Sequence, residues 1–420
     1  MSVLIKKAKI IQAKSDLNNS RKDILIEKGV ITKIANNIRE DKAQIIESDD
    51  LHVSIGWMDI GSSSGEPGFE HRETLESLSK TAASGGFTAL AVFPNTFPVS
   101  DSKSSIQYTI NSSEAHVVDY FPIAAVSKNC EGKEITEMID MARSGASAFS
   151  DGTKTIVSSG LFLRALEYSK VVDGLIIHHP SDPGISNGND IHEGALSTSL
   201  GLKACPALSE TMTMERDVQL AAYADARLMV HNLSSGESVD KLQNLKTKKI
   251  FASVSYLNLC KTDESIAAFD VNYKVSPPLR SEEDRNKLTK AVNQGVIDVI
   301  CSNHLPLEEE LKKKEFVYAD AGAIGLQTCF SAINQFAKAI SLSRLVNCMA
   351  VNPRKVLNLE IPEITVGAEA NLCLFDPGAS WTLNDTSNNS KAKNSPFWNQ
   401  ELEGKVLGVI NGKKIQLNTY

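Results

Sequence analysis

Histidine, aspartate and asparagine are the residues of this chain best placed to do chemistry, and their spacing limits what that chemistry is. The eight histidines stand at 52, 71, 116, 178, 179, 192, 231 and 304, and none forms a His-x-His or His-x-x-x-His pair. A binuclear zinc site needs about four histidines plus carboxylates around its two ions. The seven cysteines, at 130, 205, 260, 301, 329, 348 and 373, are odd in number and lack a Cys-x-x-Cys pair. They read as small core hydrophobes in a reducing cytoplasm, not as disulfides or a zinc knot. The polar residues that follow apolar runs are Asp59 to Gly68, Asn95, Asp151, His179, Asn232 and Asn303. They make a hydrogen-bonding set, not an evident metal cluster.

The elements that must position these residues follow from patterning. Fully apolar runs include Thr88–Phe93, Tyr120–Val126, Ala146–Phe149, Gly174–His178, Arg227–Val230, Ile250–Val254 and Val296–Cys301. Strands buried on both faces read this way, and helical stretches between them imply a parallel sheet. So many units predict a closed (β/α)8 TIM barrel over residues 56–365, whose site lies at the C-terminal ends of its strands. An open doubly wound sheet is disfavoured, because no Gly-rich phosphate loop opens a helix. The two chain ends, 1–55 and 366–420, are rich in short alternating runs, with Asn411-Gly412 as a hairpin turn. They predict a small β-sandwich domain assembled from both termini. The polar stretch Asn384 to Asn394 reads as a surface loop.

The chain of 420 residues is 42% hydrophobic, which is enough for a barrel plus a smaller domain. Its net charge of −7 argues against nucleic acid. The basic run Lys312–Lys314 after Glu308–Glu310 reads as a solvated helix face. No signal peptide or run of eighteen apolar residues is present, so a cytoplasmic protein without a membrane span is expected.

Several segments together resemble the dihydroorotases of the metal-dependent amidohydrolase superfamily. Asp59-Ile60-Gly61-Ser62-Ser63-Ser64-Gly65-Glu66-Pro67-Gly68 is similar to the family opening Asp-Leu-His-x-His-Leu-Arg-Glu-Pro-Gly. Gly85-Gly86-Phe87-Thr88 through Pro94-Asn95-Thr96, Ser276-Pro277-Pro278-Leu279-Arg280, Ser302-Asn303-His304-Leu305-Pro306 and Asn352-Pro353-Arg354 match further segments in order along nearly the whole chain. The resemblance implies a barrel of the metal-dependent hydrolase type and a role in pyrimidine biosynthesis. It also implies which positions are altered. Gly61 and Ser63 stand where the family has two metal-binding histidines, and Asn232 where a third is expected. Asn303 replaces the aspartate that binds metal and acts as general base, and Gly65 the arginine expected to hold the substrate carboxylate. Asp151 and His179 remain as family metal ligands, and Asn95 and His304 as candidate substrate contacts.

These replacements remove chemistry. Glycine has no ligand atom, serine is a poor zinc ligand, and asparagine has no titratable carboxylate. No cofactor is therefore expected, or at most one weakly bound zinc ion. His231 and His304 adjoin altered positions, but a one-residue shift along a strand turns a side chain to the opposite face. His304 is expected as a hydrogen bonder in the site wall, His178 as facing the outer layer, and His71 as capping or packing a helix. Surface or loop roles are expected for His52, His116 and His192. Lys154 is not expected to act as a carbamylated bridging lysine, and Asp151 is expected to hydrogen-bond His179. Three readings follow. The first is an inactive scaffold, of the kind that assembles with aspartate transcarbamoylase, or a homodimer. The second is an active cyclic-amide hydrolase with a mononuclear site, and the third a small-molecule sensor using the emptied barrel mouth.

Overall fold

Apolar and β-branched runs become strands in the computed structural model, which describes residues 2–186 and 191–418. The first residue and the last two of the expected terminal domain lie outside these. The chain ends supply β1 (Ser2–Ile10), β2 (Arg21–Glu27), β3 (Val30–Ala35), β4 (Gln44–Ile46) and β5 (His52–Ile55). The middle supplies β6 (Trp57–Ser62), β7 (Phe87–Val92), β8 (Asp119–Ala124), β9 (Ala148–Phe149), β10 (Leu175–His178), β11 (Ile191–His192), β12 (Ala204–Cys205), β13 (Arg227–Val230), β14 (Ile250–Ser255) and β15 (Val299–Cys301). The far end returns with β16 (Asn371–Thr382), β17 (Glu401–Asn411) and β18 (Lys414–Leu417).

The two ends share one hydrogen-bonded sheet, in the order β18-β17-β16-β5-β1-β2-β3, with β4 also on β1. The junction is β5, parallel to β1 and antiparallel to β16. Trp57, fully buried, ties this sheet to the barrel through ring contacts with Phe87, Phe330 and Phe375.

The second sheet is the barrel, parallel throughout in the order β15-β14-β13-β10-β9-β8-β7-β6. Alternation along each strand separates two apolar clusters. Met58, Ile60, Ala89, Ala91, Leu175, Ile177, Met229, Val299 and Cys301 fill the interior. Leu90, Val92, Ile176, Leu228, Val230, Ala252 and Ile300 pack outward against the helices. This is the period of two that a closed barrel imposes on its strands.

The seam between β6 and β15 is held by Asp59, which is fully buried. Its carboxylate accepts from Ser302 N at 2.7 Å, Ser302 Oγ at 2.6 Å and Ser62 Oγ at 2.5 Å. One turn higher, Ser63 N donates to the His304 carbonyl at 3.0 Å.

Two sequence expectations need correction. The stretch 384–394 is not a free surface loop but a strap bound across the barrel mouth. Ser390 Oγ donates to Glu73 Oε2 at 2.5 Å, and Asn394 Nδ2 donates to the carbonyls of Leu305 and Gly322 at 3.0 and 3.1 Å. Lys312 is not on a solvated face: it is buried, and its Nζ donates to the carbonyls of Lys274, Asp320 and Gly322. Burial pushes its ammonium down to about 8. Polarity alone signals exposure, but here the polar groups are taken up by backbone and side-chain partners on other segments. All seven cysteines are buried free thiols, and no described helix is long and apolar enough to cross a membrane.

Replacing Asp59 with alanine strands one buried N–H and two hydroxyls in the seam. We expect a loss of roughly 2–4 kcal/mol in urea unfolding, with Asp59→Asn milder because one acceptor oxygen remains. Equal stability of Asp59→Ala and wild type would show that the carboxylate does not hold the seam.

Candidate functional site

The C-terminal ends of the strands surround a cavity of about 150 Å³. Gly61 and Ser63 come from the end of β6, Phe93 follows β7, and Gly152 and Thr153 follow β9. His179 follows β10, His231 and Asn232 follow β13, and Asn303, His304 and Leu305 follow β15. Ser276, Ala321 and Gly322 close the wall from loops. The structure thus brings together His179, His304 and the altered positions 61, 63, 232 and 303. It does not bring Asn95, Asp151, Gly65 or Lys154 into the lining.

Strand alternation decides which histidine enters, and it brings His231 in, against the sequence expectation. Met229 faces in and Val230 faces out, so His231 faces in. Its ring lies edge-on to Phe93 with centroids 5.3 Å apart, and Nδ1 pairs with Ser253 Oγ at 3.0 Å. A β-carbon placed on Gly61 would lie 2.8 Å from His231 Nε2 and 2.8 Å from the Phe93 ring. The place of the family's first histidine is therefore filled by Phe93 and His231, and φ of +94° at Gly61 strains any other residue there.

Asn232 also reaches the mouth, because its φ of +55° breaks the alternation. Asn232 Nδ2 donates to Asn303 Oδ1 at 3.1 Å, and Asn303 Nδ2 donates to the Ser276 carbonyl at 3.0 Å. The two altered positions are thereby joined as a neutral amide pair. Asn303 itself has φ of +48°, a region that asparagine tolerates better than most residues.

The expected Asp151–His179 hydrogen bond does not form. Asp151 turns away, accepting from Val126 N at 3.0 Å, from Ser127 N at 2.9 Å and from Ser127 Oγ. Burial raises its pKa, and these donors oppose the rise. His179 instead donates from Nδ1 to the His231 carbonyl at 3.4 Å, which leaves the lone pair on Nε2. Asn95 Nδ2 donates to the Asp151 carbonyl at 3.1 Å and so braces that loop. His304 accepts at Nδ1 from Gly325 N at 3.1 Å and turns Nε2 towards Glu73 Oε2, 3.5 Å away. At position 65 φ is +72°, and a β-carbon would meet the Glu73 carbonyl at 2.6 Å, so the site of the expected arginine is closed.

The remaining histidines are placed as follows, with His116 in the loop before β8, its ring edge-on to Tyr120. His178 lies on the outer face, accepting from Ile156 N at Nε2 and pairing with Asp217 at Nδ1. His71 caps no helix: Thr74 caps Leu75–Ser84, and His71 is exposed 3.8 Å from Glu308. His52 is not on the surface but buried in β5, stacked on Phe375. His192 accepts from Arg280 Nη1 at 3.1 Å.

The donor set does not fit a binuclear metal centre. Among the described residues no group of three or more His, Cys, Asp or Glu converges to hold an ion. Asp151 has spent its oxygens on Val126 and Ser127, and the amide pair offers no ionised ligand.

A family model described as "Dihydro-orotase-like" matches residues 52–238. A dihydroorotase from Syntrophus aciditrophicus is 36% identical, with 98% of each chain covered. The chain belongs to the dihydroorotase family. Other members it matches include a dihydroorotase from a Thermoanaerobacter species, 35% identical over 98% of this chain and 97% of the relative. One from Clostridioides difficile is 33% identical over 99% and 100%. Among solved structures, the L-hydantoinase (dihydropyrimidinase) of Arthrobacter aurescens superposes with a TM-score of 0.86 at 21% identity, covering 99% of this chain and 96% of that one. The dihydropyrimidinase of Brevibacillus agri gives 0.82 at 18% identity, over 100% and 95%. At such identities these two speak for the fold alone.

Burial, with His179 nearby, lowers the His231 pKa to about 3 from an ordinary value of 6.5. The unfolded chain therefore takes up this proton below about pH 6.5 while the folded chain resists it until about 3. Stability rises with pH across that window and is lost as the pH falls through it. We expect the urea midpoint to drop between pH 7 and pH 5, and His231→Gln to flatten the drop by a measurable fraction. An unchanged pH dependence in that variant would place the sensitive group elsewhere.

Proposed function

We propose that this member of the dihydroorotase family serves pyrimidine biosynthesis in the cytoplasm without hydrolysing dihydroorotate, as a structural or regulatory partner. The observation that carries this is the Asn232–Asn303 amide pair, 3.1 Å long, at the positions of the family's third histidine and its general base. An asparagine cannot take up the proton that an aspartate would, and general acid–base catalysis is worth roughly 10²–10⁴-fold. A metal centre lowers its bound water's pKa from about 15.7 to about 7; the residues at the mouth do not fit one, and at most a single weakly held zinc ion is proposed.

Aspartate transcarbamoylase is the proposed partner, on the strength of the family resemblance, and a homodimer is compatible with it. Support for a protein-facing role comes from the helix Ala207–Ala224, where Leu208, Met212 and Tyr223 are exposed. At helical spacing they fall within about 60° of one another, a stripe on the barrel's outside. The mouth loops need no partner to order them, since the 384–394 strap and Asp151 hold them from within.

One observation favours the alternative, an active cyclic-amide hydrolase with a mononuclear site. His179 and His231 both present Nε2 near the mouth, the first with its lone pair free. Elemental analysis and a dihydroorotate assay separate the two readings. We expect substoichiometric zinc and no turnover above background. We also expect no gain in Asn303→Asp, which restores a carboxylate but no histidine pair and no arginine at 65. Turnover well above background in wild type or that single variant would favour the hydrolase. Co-purification from the native host and sizing of the isolated chain test the scaffold role, and a strictly monomeric protein that captures no partner would count against it.

A further inference from the structure

Buried polar atoms normally find partners, so those that do not call for an explanation. At the barrel mouth His231 Nε2 and Asn232 Oδ1 are such atoms, and each belongs to a residue only 2% exposed. Both residues line the 150 Å³ cavity, with His179 beside them. His179 Nδ1 is spent on the His231 carbonyl, so its Nε2 is a hydrogen-bond acceptor. Ser63 adds a hydroxyl, and Phe93 an apolar face at the end of β7. Among the described residues no lysine, arginine, aspartate or glutamate side chain lines the cavity. The place of the arginine that would answer a carboxylate is Gly65, closed by the Glu73 carbonyl.

We propose that the barrel mouth is a binding site for a small uncharged molecule with adjacent N–H donors and a carbonyl, of the amide or urea class, and that it selects against a carboxylate on that molecule. Asn232 Oδ1 and His179 Nε2 accept from the ligand's N–H groups, while Ser63 Oγ and the His231 edge face its carbonyl. The ring of Phe93 covers one flat face. An engineered cavity of about 150 Å³ accepts benzene, so about six non-hydrogen atoms set the size. Selection against the anion follows from the lining: a buried carboxylate needs a paired cation, and none is offered. The inference rests on the non-hydrolytic reading only in that the ligand leaves unchanged.

Two probes test it on the full chain, 2-imidazolidinone and its 4-carboxylate, with the 4-carboxamide, matched to the carboxylate in size but neutral, expected to bind tighter than the carboxylate. Calorimetric titration is expected to show 2-imidazolidinone binding at least ten-fold tighter than the carboxylate. Asn232→Gly removes the acceptor, yet glycine adopts its left-handed backbone freely, so the fold is kept. That variant is expected to bind the neutral probe at least five-fold more weakly. The idea is overturned by equal or tighter binding of the carboxylate, by unchanged affinity in Asn232→Gly, or by binding of neither probe at 10 mM, roughly the weak end of specific affinity. The wild-type comparison of the two probes stands even should the variant unfold. Mass spectrometry of the recovered probe separates the two readings: a ring-opened product would sink the non-hydrolytic function and leave the binding site in place.

Discussion

The buried carboxylate of Asp59 is the interaction on which the barrel and its mouth depend. A barrel has to join its first and last strands, and here that join falls on a side chain. Asp59 on β6 draws in the backbone and hydroxyl of Ser302 just beyond β15. Ser302 Oγ in turn accepts from His304 N, and the His304 carbonyl accepts from Ser63 N. The loops that carry Ser63, Asn303 and His304 therefore take their positions from this one group. Burial raises its pKa, and three donors oppose the rise. It is a polar network inside a low-dielectric seam, where full satisfaction of every member is what makes it stabilising.

That constraint explains a pattern in the family motifs. The residues that still match the family are those with a hydrogen-bonding task inside the chain. Glu66 accepts from Leu75 N at the start of a helix and from the Tyr108 hydroxyl. Asn95 braces the Asp151 loop, His304 holds Gly325, and Arg280 donates to Ser234 Oγ and to the Cys205 carbonyl. Those that differ, Gly61, Ser63, Gly65, Asn232 and Asn303, are the ones whose family counterparts the resemblance assigns to metal, base or substrate. The retained mouth loops thus have an internal reason to persist, whether or not a partner covers them.

Much of this was legible in the sequence. Continuous apolar runs gave away the parallel strands, and the Asn-Gly turn and alternating ends the terminal sheet, because burial on one face or two leaves a period that composition cannot hide. The ends of those runs then located Gly61, His179, Asn232 and Asn303 at one mouth. What escaped was whatever depends on parity at a strand end or on distant partners. Strict alternation with Asn232 inside would put His231 on the outer face, but a left-handed asparagine lets two neighbours share the interior. Asp151 was assigned to His179 because both end strands, yet the nearer donors of Val126 and Ser127 captured it. Lys312 and the 384–394 strap looked solvated because their acceptors and donors lie on segments that no local pattern connects.

The same left-handed geometry bears on which residues the site can hold. Positions 232 and 303 both have positive φ, a region in which asparagine, aspartate and histidine are all enriched. An aspartate at 303 would keep its backbone and accept from Asn232 Nδ2 as Asn303 does, but it would lose the bond to the Ser276 carbonyl and face that oxygen with another acceptor. A histidine at 61 is a different matter, since Phe93 and His231 already occupy its space. Overpacking of a closed interior costs roughly 1–3 kcal/mol, and here the backbone strain adds to it. Packing at β6 is therefore what opposes a histidine at position 61. Phe93 and His231 fill the space beside Gly61, while the amide pair leaves His231 Nε2 and Asn232 Oδ1 without a partner among the described residues.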